Sequence, residues 1–246
     1  MTLYSVANTC SPTSIMMASR RYLDLLDPKL DDIRLDDIAR GLAVPRFRNQ
    51  CSVPVRVDDH LLRCGRIALA LDQPLEVVVA CLLHDAAEYA WGDMPGPIKR
   101  FMRVEVAGVS VSVGELEHKL LVAIAEVLIP WVELRERVLT LLAEHDGIVK
   151  HIDVLALRGE AILWLPGSED WALNVTHTSA GPADAGIDPR IWPAMVRADD
   201  SATWSSWAHT VGELWAWWGI HEQYEARLAG ILLDRLRQRL TGRDPV

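Results

Sequence analysis

The chain has 246 residues, 50% of them hydrophobic and 24% charged, which is a globular composition able to bury a large core in one domain. A net charge of −9 argues against nucleic-acid binding through the overall field, though it leaves room for a local basic pocket around a small phosphate ester. MTLYSVANTC shows no secretory signal, and apolar runs such as 77–83 and 120–125 are too short to span a bilayer. With four cysteines in no CxxC spacing, a cytoplasmic protein with reduced thiols and no membrane association is expected.

In chain order, Ser11 or Ser14 is placed to cap a short helix through 22–26, broken by Asp27-Pro28. Ile33, Leu35, Ile38 and Leu42 predict a second helix ending near Gly41. Residues 45–54 read as a loop, and from Val55 to Leu71 the apolar positions Val57, Leu61, Ile67, Leu69 and Leu71 read as a helix. Asp72 as N-cap and Pro74 in the first turn open a helix over 74–91, which Gly92, Pro95 and Pro97 must end. Two long helical patterns follow, 115–129 and 131–165, separated at Pro130, with Gly147 kinking or dividing the second. Little alternates with period two, so the fold class expected is all-α. Eight of the ten Trp lie at or after Trp164, and Trp207, Trp215, Trp217 and Trp218 crowd one segment before a last amphipathic helix near 221–240. The chain thus divides into a helical lead-in (1–45), a core (46–165) and a Trp-rich insert with a C-terminal helix packed on the core (166–246).

His84-Asp85 follows the apolar run VVVACLL, and a buried polar pair there needs partners, either a metal or a hydrogen-bond network. On one continuous helix Glu88 shares the face of His84, while small Ala86, Ala87 and Ala90 admit close neighbours. His60 lies on the preceding helix, Asp93 and Lys99 sit in the turn GDMPGPIK, and Asp153 falls in an apolar helical stretch seven residues before Glu160. The rival pair His145-Asp146 is followed at once by Gly147 and by no carboxylate-rich turn, so it reads as a solvated or capping position.

The ordered set His60, His84-Asp85 and Asp153, with HDAAE followed by GDMPGPIK, resembles the HD-domain phosphohydrolases. Within them it is most similar to the 5′-deoxynucleotidase-like branch, which includes small phage deoxynucleotide hydrolases. The branch pattern is matched by Arg46-Phe47, by Val57-Asp58-Asp59-His60, by His84 through Glu88, by Gly92 through Lys99, and by Asp153. Over about residues 30–165 the resemblance implies an HD-domain helical bundle carrying a Trp-rich C-terminal extension. Two departures stand out: Asp59 replaces the usual Glu, and 48–56 differs from the usual approach to that helix, which bears on nucleotide recognition.

The resemblance further implies that His60, His84, Asp85 and Asp153 ligate one divalent ion. Such a mixed nitrogen and oxygen set suits Mn, Co, Fe, Ni or Zn better than Mg. Glu88 is the candidate for orienting the attacking water or relaying its proton, and Asp93 its partner or the group that protonates the leaving oxygen. Arg46 and Lys99 would neutralise phosphate, with Phe47 against the sugar. Bland readings stand beside these: Lys99 and Arg100 solvated, Arg46 on a surface loop, Phe47 in the core, Asp93 capping a turn, Glu117 and Glu160 as helix-surface charges, and the Trp cluster as core or interface. The function expected is hydrolysis of a nucleotide, a deoxynucleotide first, as a monophosphate or a triphosphate. Alternatives are hydrolysis of a signalling nucleotide (a cyclic dinucleotide or guanosine tetraphosphate) and a non-catalytic module stabilised by its metal. A homo-oligomer would suit the branch, and no stable nucleic-acid partner is expected.

Overall fold

A computed structural model describes residues 10–106, 108–144, 146–165, 207–208, 210–212 and 226–241. Helices dominate: α1 (Leu35–Gly41), α2 (Val57–Ala70), α3 (Leu75–Leu83), α4 (Gly96–Lys99), α5 (Val113–Leu128), α6 (Val132–Ala143), α7 (Ile148–Trp164) and α8 (Ala226–Thr241). The expected all-α class holds. No helix among the described residues is long and apolar enough to cross a membrane.

α3 is the centre of the bundle. Every residue of it except Glu76 is buried, and α2, α6, α7 and α8 pack around it. Gly65 on α2 permits the closest approach, because a Cβ there would lie 2.9 Å from a methyl of Leu82. Trp207 is fully buried and donates its indole N–H to the Leu82 carbonyl at 2.9 Å, so one of the late tryptophans is core. Trp215, Trp217 and Trp218 lie outside the described residues. Arg66 Nε, bonded to the Leu240 carbonyl at 2.8 Å, ties α8 to α2.

Several elements differ from the sequence expectation, each for a local reason. Neither Ser11 nor Ser14 caps a helix, and the Ser14 hydroxyl accepts the Ser11 backbone N–H at 3.1 Å; Ser11 and Thr13 turn to Asp24. Their hydroxyls donate to the Asp24 carboxylate at 2.6 Å each, and 14–24 forms a hairpin of β1 (Ser14–Met16) with β2 (Tyr22–Asp24). A second hairpin, β3 (Arg103–Val106) with β4 (Val109–Ser112), follows the local alternation of Val104, Val106, Val109 and Val111. Its turn holds Gly108 at φ +81°, a conformation suited to glycine. α5 begins at Val113, two residues earlier than the apolar pattern suggested, because Ser112 and Glu115 form a reciprocal capping box. Asp72 does not cap α3: its φ is +52°, Pro74 holds the cap position, and the Asp72 carboxylate pairs with Arg237 on α8 at 3.1 Å.

The difference that matters most is at 84–90. The expected helix 74–91 ends at Leu83, and Ala86–Ala90 form a separate 3₁₀ turn. His84 Nδ1 donates to the Cys81 carbonyl at 3.0 Å, engaging an acceptor at the end of α3. α1 and α5 clamp the 3₁₀ turn from outside. Gly41 makes this possible, since a Cβ there would fall 2.3 Å from the Tyr89 carbonyl oxygen. Gly92, at φ +88°, then lets the chain turn away.

Candidate metal centre

α2, the end of α3 and α7 each deliver side chains to one buried point. His60 Nε2 lies 3.1 Å from Asp153 Oδ1 and 3.9 Å from Asp85 Oδ2. His84 Nε2 lies 3.4 Å from Asp85 Oδ2 and 3.6 Å from Asp153 Oδ1. One atom from each of the four residues falls within 4.8 Å of every other. The helix break after Leu83 helps produce this. His84 and Asp85 are adjacent, and a regular helix would splay them by about 100°; Asp85, at φ −105° and ψ 13°, turns back toward His84 instead.

The tautomers follow from the partners. A carbonyl only accepts, so His84 Nδ1 carries a proton and Nε2 faces the centre, where it offers a lone pair to an ion once its own proton is displaced. That nitrogen is buried and makes no hydrogen bond. His60 Nδ1 donates to Glu160 Oε1 at 2.9 Å, which turns its Nε2 inward as well. Two imidazole lone pairs thus face two carboxylate oxygens, an arrangement that needs a cation or protons to hold it together. Without an ion, burial resists a charge on His84, but Asp85 and Asp153 prevail and push its imidazole up to about 10. The donor set fits a divalent ion: neutral imidazoles with fixed tautomers and anionic oxygens, each supported from outside.

That support contains the residues the sequence did not mark. Glu160, expected as a surface charge, is fully buried. Its carboxylate takes His60 Nδ1, a close contact from Arg63 Nη1, and Arg46 Nε at 3.5 Å. Burial opposes its charge, yet His60 and Arg46 lower its carboxyl to about 2. The signal was its spacing, since two turns separate it from Asp153 on α7 in an apolar stretch. Lys150, one turn before Asp153, holds the second carboxylate oxygen at 2.6 Å and so presents Oδ1 inward.

Arg46 is not a surface residue. It is buried, with Nη1 3.3 Å from Asp85 Oδ2 and its guanidinium carbon 5.8 Å from the Phe47 ring centre. Phe47, Arg48 and Asn49 all have φ between +52° and +59°, a conformation costing roughly 1–2 kcal/mol per residue. The Asp93 carboxylate braces this loop by accepting the Phe47 backbone N–H at 3.2 Å. Asp93 thus joins the Arg-aromatic pair to the GDMPGPIK turn.

Glu88 is buried beside the centre. Desolvation first, then the charge of Asp85, raise its carboxyl to about 9, although Lys99 and Arg46 pull the other way. Lys99 is not solvated. Its ammonium sits between Glu88, at 3.6 Å, and Glu117, in close contact. Glu117, expected on the surface, has a side chain only 14% exposed for that reason. Arg100 is exposed, and so is Asp146, while His145 lies outside the described residues.

Two matches to known proteins bear on this chain. An uncharacterized protein of Rhodobacter capsulatus is 41% identical over 88 residues, which is 34% of this chain. The match spans 45% of that relative's length. Residues 57–158 match the HD domain, and they begin with α2, which carries His60, and close on α7 just beyond Asp153. The segment that assembles the four converging side chains is therefore the one that matches the HD domain.

Proposed function

We propose that this protein is a metal-dependent phosphohydrolase of nucleotides, with deoxynucleotides as its substrates. The observation that carries the reading is the convergence of His60, His84, Asp85 and Asp153 on one buried point within the segment that matches the HD domain. These four residues would hold the ion. A divalent ion in such a site supplies a Lewis acid for a phosphoryl oxygen and lowers the pKa of water toward neutrality.

The chain's own residues would do the rest. Glu88, whose carboxyl is raised into the neutral-to-alkaline range, can keep and pass a proton near neutral pH. Asp93 fixes the Arg46-Phe47 loop through the Phe47 N–H, which is a positioning role beside the proton-transfer role expected of it. Arg46 orients Asp85 and would add positive potential for a phosphate, while Lys99 would do so from the opposite charge cluster. The 5′-deoxynucleotidase-like assignment is supported by Phe47 lying next to Arg46 and by the GDMPGPIK turn lying against both. Four unpaired cysteines suit a cytoplasmic setting.

The test is a panel of nucleoside and deoxynucleoside mono-, di- and triphosphates with Mn, Co, Fe, Ni, Zn and Mg. Phosphate, pyrophosphate and triphosphate release are read separately. Release from deoxynucleotides in preference to ribonucleotides is expected. Absence of turnover with every metal would overturn the hydrolase reading, and turnover confined to signalling nucleotides would overturn the substrate class.

A further inference from the structure

We propose that the outer edge of β3 is a self-association site, where a second copy of this chain adds its own β3 antiparallel across a two-fold axis at Val104. The inference stands on the β3–β4 hairpin and is independent of the metal centre. The two strands form a sheet of their own, with no third strand on either edge among the described residues. The Val113 N–H donates to the Met102 carbonyl at 3.4 Å, and antiparallel bonding alternates from there along the register. Val104 therefore bonds to Val111, while the main-chain N–H and C=O groups of Arg103 and Glu105 point away from β4. The opposite edge is partly closed. There the Ser112 N–H donates to Glu115 Oε2 at 2.8 Å, and the Ser110 carbonyl accepts Arg103 Nη2 at 3.1 Å.

Charge names the occupant. A two-fold axis at Val104 sets Arg103 opposite Glu105 of the second copy, and Glu105 opposite the Arg103 of that copy. These are the two residues whose main-chain groups face outward, so each pair exchanges two hydrogen bonds as well as opposite charges. Charges that merely guarded the edge would share one sign and repel an identical strand. Arg103 and Glu105 attract one instead. The same stretch of chain carries apolar surface to cover: Phe101 is 86% exposed, and Ile98, Met102 and Val109 are exposed as well. Pairing of β3 with β3 leaves the two β4 strands outermost, and their partly engaged edges stop the assembly at two copies.

The experiment follows the mass of the full chain in solution by sedimentation equilibrium over the micromolar range. The wild type should be a dimer. Arg103→Glu and Glu105→Arg each set like charges at both cross-strand pairs and should weaken the dimer roughly tenfold or more. An equimolar mixture of these two variants restores opposite charges at both pairs, so it should dimerise as the wild type does. That rescue would not follow if Arg103 served only its bond to Ser110 within the hairpin. A monomeric wild type would overturn the proposal. So would a dimer that both single variants leave intact, which would put the interface elsewhere, and so would weakening without rescue in the mixture. If either charge variant fails to fold, Glu105→Pro decides. It removes an outward N–H that the hairpin does not use and should give a folded monomer, and a folded dimer would overturn the pairing.

Discussion

His60 and Glu160, 100 positions apart, share a 2.9 Å hydrogen bond that neither exposes to solvent. The bond fixes which nitrogen of His60 faces Asp153 and Asp85. The same carboxylate also compensates Arg63 and Arg46, so one side chain serves both the centre and the fold. Glu160→Gln should keep the fold and weaken divalent-metal affinity roughly 10–100-fold, as loss of an outer carboxylate does elsewhere. Glu160→Ala should also destabilise the chain by about 3–5 kcal/mol, because it removes the charge beside Arg46 and Arg63 together with every acceptor oxygen, whereas the Glu160→Gln amide still accepts a hydrogen bond. Metal titration and urea unfolding of the two variants separate these effects; unchanged affinity in Glu160→Gln would argue that His60 is held by its other contacts.

Removing a donor should act differently. His84→Ala and Asp153→Asn should each purify without stoichiometric metal. In the wild type a saturating divalent ion should raise the melting temperature, since it binds the folded state alone. The donor variants should lose that rise. Metal analysis and thermal melts with and without chelator provide the check, and a full metal complement in Asp153→Asn would contradict the assignment.

Glu88 sets a pH dependence of stability. Its folded value, about 9, lies above its ordinary 4.5, because burial and Asp85 disfavour the charge. Between those values the folded chain binds more protons than the unfolded one, so the contribution is full below about pH 4.5 and is lost as pH rises toward 9. Glu88→Gln cannot ionise and should lack this decline. The gap between the variant and the wild type, measured by urea unfolding in chelator at pH 5, 7 and 9, should therefore widen in the variant's favour. Turnover should nonetheless be lost in Glu88→Gln while its metal content stays normal. Lys99→Met, which removes the cation between Glu88 and Glu117, should move the decline to still higher pH.

Trp207 offers a control outside the four converging side chains. Trp207→Phe keeps an aromatic ring in the core but removes the donor to the Leu82 carbonyl, for a loss of about 1–3 kcal/mol. Trp207→Ala should lose about 3–5 kcal/mol. Chemical denaturation measures both, and metal affinity per folded molecule should be unchanged in Trp207→Phe.

The bundle was legible wherever the apolar period ran uninterrupted: α2, α5, α6 and α7 all fall within a few residues of their expected bounds. The convergence of His60, His84, Asp85 and Asp153 had a signal too, because a His-Asp pair after VVVACLL and an Asp inside an apolar helix are hard to bury alone. Illegible were the places where a side chain outbid the backbone pattern. Asp24 claimed the Ser11 hydroxyl expected to cap a helix, and His84 Nδ1 engaged the carbonyl at the end of α3.

The sequence by itself determined a helical chain, the order His60, His84-Asp85, Asp153, and the chemical identity of the donors. Periodicity and residue type are local properties, and they survive without knowledge of the partners. Tertiary structure alone decided which groups are charged and which way they point. Glu160 and Glu117 look like exposed helix carboxylates in sequence, yet folding buries them against Arg46, Arg63 and Lys99. Desolvation and charge pairing act through distances of a few ångströms between residues up to 100 positions apart, and only the packed chain sets those distances.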